Sequence, residues 1–195
     1  MSSRNINHAT AALLRDGYCS CQRIKQLVAA GADANEVDDR GRAWTPLHLA
    51  ADGGMADCID ELVRSGARID TKDSDGMTPM HRAAQMGRTD CIVKLASHGA
   101  NIDATDLRGW TPLHWAAVND HIDCIDALVA RLGARIDATG SHLRTPLHWA
   151  AICGNVDCIK ALARLGANID ALDRDGKTPA QLCVLANKCF WPSLP

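Results

Sequence analysis

The stretch Trp110-Thr111-Pro112-Leu113-His114-Trp115-Ala116-Ala117 decides the fold, because close copies of it occur on both sides at an almost constant interval. Its Thr-Pro-Leu-His part returns at Thr45–His48, at Thr78–His81 and at Thr145–His148, and Thr178–Gln181 is a diverged last copy. The threonines are separated by 33, 33, 34 and 33 residues. A period of this length is typical of solenoid proteins built from stacked repeats.

Each copy predicts the start of a short helix that is followed by a second helix. Threonine is a good N-cap, and the proline after it occupies the first helical position, where a missing N–H costs nothing. The paired alanines let a neighbouring helix approach closely. A second amphipathic pattern follows, as in Asp123–Val129, and a Gly-Ala pair such as Gly133-Ala134 ends it, since glycine adopts the left-handed conformation of a helix end. The repeating unit is therefore predicted to be a helix–turn–helix.

The units are joined by a turn with a pattern of its own. Asp106-Leu107-Arg108-Gly109 places Asp first and Gly fourth, as in a type I turn, and Asp73–Gly76 and Asp173–Gly176 repeat this arrangement. Flanking isoleucines such as Ile102 alternate with polar neighbours. We therefore expect an extended, hairpin-like finger between successive units.

These motifs resemble the repeat of the ankyrin family over roughly residues 8 to 188. The resemblance implies an all-α ankyrin-repeat solenoid of stacked helix–turn–helix units with β-hairpin-like fingers. It predicts an N-terminal tail and capping repeat at 1–35, four full repeats at 36–170, and a truncated C-terminal capping repeat and tail at 171–195. The chain departs from the family pattern at three places, namely the extra residues Arg42-Ala43, the additional Leu132, and the segment 140–143, which lacks the Asp-x-x-Gly turn.

The last unit lacks a second helix, so apolar surface is left to be covered. Terminal repeats of a solenoid need an outer face that tolerates water. We expect Phe190 and Trp191 of the tail to fold back over this surface, and a partner or a continuation of the chain is the alternative cover.

Composition and charge argue against several classes of function. The net charge is −2 and no charge run occurs, so nothing favours binding to nucleic acid or to an anionic membrane surface. We expect neither a secretory signal nor a membrane span, and we expect a cytoplasmic or nuclear location. The sequence shows no phosphate loop, catalytic carboxylate pair, triad or metal-ligand set. We therefore expect no enzymatic activity, no cofactor and no small-molecule substrate.

The repeat itself accounts for four of the nine cysteines and four of the eight histidines. Cys58, Cys91, Cys124 and Cys158 recur at one position of the second helix, and stacked helices about 8–10 Å apart hold such cysteines beyond disulfide distance from one another. We expect reduced thiols that pack as small buried hydrophobes. The histidine of each Thr-Pro-Leu-His motif is expected to hydrogen-bond across the junction between repeats.

The family resemblance places the binding surface on a concave face built from fingers and first helices. Its variable positions are the residue before the threonine, the residue after the histidine, and the two residues after the alanine pair. Four of the five tryptophans fall at such positions, and tryptophan is enriched in binding hot spots. The predicted partner-binding residues are Trp44, Met77, Arg82, Met86, Trp110, Trp115, Val118, Arg144, Trp149 and Ile152. We expect a non-catalytic protein-interaction module or scaffold subunit that binds a protein partner through this Trp/Met-rich face, by itself or within a larger complex.

A second hypothesis comes from a narrower resemblance. Some ankyrin domains attached to histone methyltransferases read methylated lysine with an aromatic cage, and Trp110, Trp115 and Trp149 are similar in spacing to the tryptophans of such a cage. A quaternary ammonium is attracted to indole faces by cation–π interaction. Val118 departs from this pattern, because it stands where such cages carry an acidic residue.

Overall fold

The computed structural model describes residues 22, 26, 29–38, 41–186 and 191. From residue 46 onward, helices alternate between a first and a second helix of each repeat. Their bounds are α1 Pro46–Asp52, α2 Ala56–Arg64, α3 Pro79–Gln85, α4 Thr89–Ser97, α5 Pro112–Val118, α6 Ile122–Asp126, α7 Pro146–Cys153, α8 Val156–Arg164 and α9 Pro179–Leu185. No helix in this part of the chain is long and apolar enough to span a bilayer.

The first helices begin where the sequence predicts, with a cap that also joins neighbouring repeats. In the first of them Thr45 has an extended backbone, Pro46 follows at the first helical position, and His48 completes a capping box. The Thr45 N–H donates to His48 Nδ1 at 3.1 Å, and His48 Nε2 lies 3.0 Å from the Met77 carbonyl oxygen of the next repeat. His81, His114 and His148 make the same two contacts.

The helices form two parallel rows. The first helices α1, α3, α5, α7 and α9 pack side by side in chain order, and the second helices pack in a row behind them. The core between the rows consists of the alanine pairs, the motif leucines or methionine, and apolar residues of the second helices such as Ile92 and Leu95. The end of a first helix is also bonded to the next repeat. Side chains of the next repeat contact its last carbonyl oxygens, as seen for Arg88, His121 and Asn155.

The fingers are extended turns that touch one another along one edge of the stack. Backbone hydrogen bonds join each neighbouring pair, from Ser74 N to Arg42 O, Leu107 N to Asp75 O, Ser141 N to Arg108 O, and Arg174 N to His142 O, at 2.8–3.1 Å. Residues 41–186 contain no regular β-strand. The fingers therefore form a ladder of turns along the concave face.

The additional residue Leu132 is absorbed inside a helix. Where the other second helices end as regular α-helices, residues Ala127–Arg131 form a π-helical turn that continues α6. The closing bond of a regular repeat runs from Ala67 N to Leu62 O, whereas here it runs from Ala134 N to Leu128 O, one residue further. A π-turn accommodates one inserted residue without ending the helix, so the stacking of the next repeat is preserved.

The cysteines agree only in part with the expectation of reduced thiols. Cys91, Cys124 and Cys158 are free and buried, and burial raises the pKa of Cys91 to about 12. Cys58 and Cys183, however, each take part in a disulfide bond, so the expectation of a reduced thiol is wrong for these two. The spacing argument excluded pairing among the four equivalent cysteines of stacked helices, but it did not address pairing outside that series.

The ends of the chain are described only in part. Trp191 is partly buried and packs against the core, as expected for a tail that folds back, whereas Phe190 lies outside the described residues. Most of the predicted N-terminal tail and capping repeat at 1–35 also lies outside them. The division into 1–35, 36–170 and 171–195 stays a prediction.

Candidate partner-binding face

The ten predicted contact residues occupy equivalent positions along the fingers and first helices, but their exposure differs by position. The residue before the threonine is buried in three repeats, with 7% of Trp44, 1% of Met77 and 5% of Trp110 exposed. At the far end of a first helix, Met86 is 41% exposed. The other predicted residues are partly exposed, namely Arg82, Trp115, Val118, Arg144, Trp149 and Ile152. The surface open to a partner thus consists mainly of the positions after the histidine and after the alanine pair.

Three tryptophans of neighbouring repeats form one cluster at the centre of this face. The ring centroid of Trp110 lies 5.0 Å from that of Trp115 and 4.6 Å from that of Trp149. These are distances of direct aromatic contact. Trp110 also donates from Nε1 to Ser141 Oγ at 3.2 Å, in the next finger. The partly exposed indoles of Trp115 and Trp149 therefore both pack against the buried indole of Trp110.

Arginines lie over the indole faces. The Arg108 guanidinium carbon is 5.5 Å from the Trp110 ring centroid and 5.6 Å from that of Trp115, and Arg144 lies 5.4 Å from that of Trp149. These separations fall within the range of cation–π attraction. The faces of the cluster are already in contact with cations of the chain itself.

The N-terminal part of the face is built differently, around a single tryptophan. Two guanidinium groups lie over the Trp44 ring, with Arg42 at 4.0 Å and Arg82 at 4.7 Å from its centroid. Both arginines are also ion-paired, Arg42 with Asp38 at 3.0 Å and Arg82 with Asp73 at 2.6 Å. Both guanidinium charges that lie over this indole are therefore balanced by an aspartate.

A buried aspartate at the start of each regular finger organises this face. Asp106 Oδ1 accepts hydrogen bonds from the backbone N–H groups of Arg108 and Trp110, and its Oδ2 accepts from Trp115 Nε1 at 3.1 Å. Asp73 does the same for its own turn, and its Oδ2 accepts from Arg82, which occupies the same position after the histidine as Trp115. One oxygen holds the finger, and the other holds the side chain on the helix.

An arginine takes over where the residue after the histidine cannot donate a hydrogen bond. Leu182 occupies that position in the last repeat, and Asp173 Oδ2 there accepts from Arg144 of the preceding repeat at 3.0 Å. Hydrogen bonds from the Lys177 backbone and from Arg144 outweigh the effect of burial and lower the pKa of Asp173. The second oxygen of this carboxylate is thus paired in every finger that has one.

The finger at 140–144 lacks this aspartate. Gly140 is its structural equivalent, because its N–H donates to the Arg144 carbonyl just as the Asp106 N–H donates to that of Trp110. The consequence is found on the helix, where Trp149 Nε1 is buried and has no hydrogen-bond partner. The finger also holds two consecutive non-glycine residues in the left-handed region, His142 with φ 60° and Leu143 with φ 57°. Such conformations cost free energy and are common at binding sites.

The motif histidines are held neutral within the stack. Burial lowers the pKa of His81 and of His114 to about 4, and it also lowers the pKa of His48 and His148. With Nδ1 accepting the threonine N–H, Nε2 is the nitrogen that carries the proton and donates to the next repeat. Protonation of Nδ1 would break the cap, so these residues are structural parts of the junction.

Features typical of catalysis are not evident in the described part of the chain. No group of three or more His, Cys, Asp or Glu side chains is arranged there to hold a metal ion. A cleft of about 610 Å³ lies at the loops between helices, and its lining mixes carboxylates such as Asp90 and Asp123 with Arg88 and Arg131. It lies away from the tryptophan cluster.

Sequence reasoning missed several residues that define the face. The sequence predicts Asp73, Asp106 and Asp173 only as turn formers, and it does not single out Arg108. The pattern Asp-x-x-Gly was the available signal for the aspartates. Their second role is visible only in the folded repeats, where Asp73 and Asp106 accept from a side chain nine residues later and Asp173 accepts from Arg144 of the preceding repeat.

Comparison with known proteins gives consistent matches to one family. The pattern described as "Ankyrin repeats (3 copies)" matches residues 10–106, and that described as "Ankyrin repeats (many copies)" matches 84–129, 113–163 and 147–189. The predicted repeat fold is thereby confirmed, and such repeats form protein-interaction modules.

Individual relatives share only short segments with the chain. Human protein phosphatase 1 regulatory subunit 27 is 42% identical over 53 residues, which cover 27% of this chain and 33% of that protein. The phosphate system positive regulatory protein PHO81 of Saccharomyces cerevisiae is 40% identical over 55 residues, 28% of this chain and 5% of that protein. The mouse 2-5A-dependent ribonuclease is 44% identical over 45 residues, 23% of this chain and 6% of that protein. The chain thus spans a third or less of each of these relatives.

Proposed function

The chain belongs to the ankyrin repeat family, and we propose that it is a non-catalytic interaction module that binds a protein partner on its concave face. One observation carries this proposal: the two partly exposed indoles of Trp115 and Trp149 lie on neighbouring first helices and share the buried support of Trp110. Rigid aromatic side chains in such a setting are typical anchors for a partner. Met86, Val118 and Ile152 add apolar surface at the ends of three successive first helices.

A role as a subunit of a larger assembly is consistent with the relatives. Protein phosphatase 1 regulatory subunit 27 is by its name a subunit that accompanies an enzyme. The shared segment consists of repeats, and stacked repeats present grafted side chains to unrelated partners. We therefore infer a regulatory or scaffolding role for this chain, without transferring the identity of the relative's partner.

The proposal is tested by charged substitutions on two different faces. Met86→Glu with Ile152→Glu places charge on the concave face, and Val93→Glu is the matched control, because Val93 is 38% exposed on a second helix against 41% for Met86. The wild-type chain and both variants are used to capture proteins from extracts of the source organism, with quantitative mass spectrometry as the readout. We expect proteins that the control retains and the concave-face variant loses. Equal retention by both variants would reject the concave face.

The methyl-lysine reader is the second candidate, and the cation–π contacts are what favour it. Arg108 and Arg144 demonstrate that the indole faces accept cations. A methylated lysine would have to displace Arg108, however, because the rings of Trp110 and Trp149 are in contact and leave no space between them. Titration with a lysine peptide and its trimethylated form separates the two candidates. We expect equal affinities, and a clear preference for the trimethylated form would favour the reader.

A further inference from the structure

Two hydrogen-bond donors on the tryptophan cluster are not used by the described part of the chain. Trp149 Nε1 is buried without a partner. Arg108 is exposed, and it differs from the other arginines that lie over tryptophan rings in having no ion pair within that part. Arg42, Arg82 and Arg144 all have one, with Asp38, Asp73 and Asp173. A buried N–H and a guanidinium without a counter-charge are both groups that a ligand stabilises by accepting hydrogen bonds.

The molecule itself indicates which chemical group fits. At the position after the histidine, Arg82 donates to the carboxylate of Asp73, and Trp115 donates to the carboxylate of Asp106. Trp149 occupies the same position, but its finger carries Gly140 instead of an aspartate. The acceptor missing from this repeat is therefore a carboxylate. The chain cannot supply it from residue 140, because a Cβ there would lie 2.7 Å from Trp110 Cδ1.

We infer that an aspartate or glutamate of the protein partner takes this place, so that the concave face recognises an acidic segment. The carboxylate accepts from Trp149 Nε1 and pairs with the Arg108 guanidinium, which Trp110 and Trp115 hold in position. Because Trp149 Nε1 is buried, the finger at 140–144 has to shift before the partner's carboxylate can reach it. This finger has no aspartate anchor, and its backbone is strained at His142 and Leu143, so a shift of this finger can release strain.

This inference rests on the proposed function and is tested together with it. A library of random linear peptides is selected on the purified full chain, and the enriched peptides are sequenced. The tightest peptide is then compared with its amide version, in which Glu or Asp is replaced by Gln or Asn. Binding of both forms is measured by isothermal titration calorimetry to the wild-type chain and to three variants, Arg108→Gln, Trp149→Phe and Arg135→Gln. Binding of the acidic form is also measured to the double variant Met86→Glu with Ile152→Glu. Arg135 is exposed and lies outside the cluster, so it serves as the matched control.

We expect enriched peptides to share an acidic residue, and its amide version to bind the wild-type chain about tenfold more weakly. The same difference should persist in Arg135→Gln and largely vanish in Arg108→Gln and in Trp149→Phe. Peptides without a shared acidic residue, or an equal difference in all variants, would overturn the acidic segment while leaving the concave face intact. Peptides that bind Met86→Glu with Ile152→Glu as tightly as the wild type would overturn the concave face as well.

Discussion

Two neighbouring repeats carry the same helix sequence, Thr-Pro-Leu-His-Trp-Ala-Ala, at 111–117 and at 145–151. The indole N–H after the histidine nevertheless differs between them in its hydrogen bonding. Trp115 donates to Asp106, whereas Trp149 has no partner. The helices are alike, so the difference originates in the fingers, where one begins with an aspartate and the other with Gly140. In this fold the helix sequence determines the stack, and the finger determines which donors remain available to a partner.

Removal of the finger aspartate should have the largest effect on stability. In Asp106→Ala, the N–H groups of Arg108 and Trp110 and the indole N–H of Trp115 all lose their acceptor. We expect the free energy of unfolding in urea to fall by roughly 2 to 4 kcal/mol. The control Asp175→Ala removes an exposed carboxylate of another finger and should change stability by less than about 0.5 kcal/mol. Equal effects of the two substitutions would mean that the aspartate does not anchor the finger.

Restoring the aspartate in the exceptional finger should destabilise the protein. The Cβ of Gly140→Asp meets Trp110 Cδ1 at 2.7 Å, so the indole has to shift. We expect a loss of roughly 1 to 3 kcal/mol, typical of overpacking. In a chain that already carries Trp110→Leu the same substitution should cost much less, and the double-mutant cycle measures this coupling. A stabilised Gly140→Asp chain would show that the finger accommodates an aspartate after all.

The fold was predictable from sequence because its determinants are local. Thr111 and Pro112 define where a helix begins, and His114 completes the cap within the same turn. The repetition of these residues then gives the stack without knowledge of any distant contact. The additional Leu132 could be located in the sequence, but its accommodation by a π-helical turn depends on the packing of α6 against its neighbours.

The positions of the candidate face within each repeat could be predicted from the sequence, but the exposure of its side chains could not. All ten residues lie on the fingers and first helices, yet Met77 and Trp110 are buried. Trp110 points into the junction because its Nε1 donates to Ser141, 31 residues away. Likewise, the sequence shows that residues 140–143 lack the usual turn, but only the structure shows that Trp149 thereby loses an acceptor. Contacts between repeats decide both points.

Removal of one nitrogen from each indole compares the two repeats directly. Trp115→Phe and Trp149→Phe delete similar volumes, so their packing costs largely cancel in the comparison. Trp115→Phe also leaves Asp106 Oδ2 without a donor, whereas Trp149→Phe removes an N–H that had no acceptor. We expect Trp115→Phe to be the more destabilising by about 1 to 2 kcal/mol. Parallel urea denaturation curves measure the difference, and equal losses would contradict the account of the orphan donor.

The smallest difference between the two repeats is expected in how their motif histidines make stability depend on pH. Burial lowers the pKa of His114 to about 4, below the ordinary value of 6.5, and also lowers the pKa of the equally buried His148. Below pH 6.5 these histidines therefore become protonated in the unfolded chain while they stay neutral in the folded chain. The stability from neutral histidine is complete above pH 6.5 and is lost as the pH falls towards 4, by at most about 1.4 kcal/mol per pH unit for each histidine.

Glutamine is the matched replacement for these histidines, because Gln181 Oε1 already accepts the Thr178 N–H in the last repeat at 2.9 Å. Unfolding free energies at pH 6.5 and at pH 5 should differ less in His114→Gln than in the wild type. His148→Gln should also reduce the difference, and the two variants should be separated by less than about 1 kcal/mol. If His114→Gln keeps the full pH dependence of the wild type, burial of the neutral His114 imidazole is not a source of that dependence.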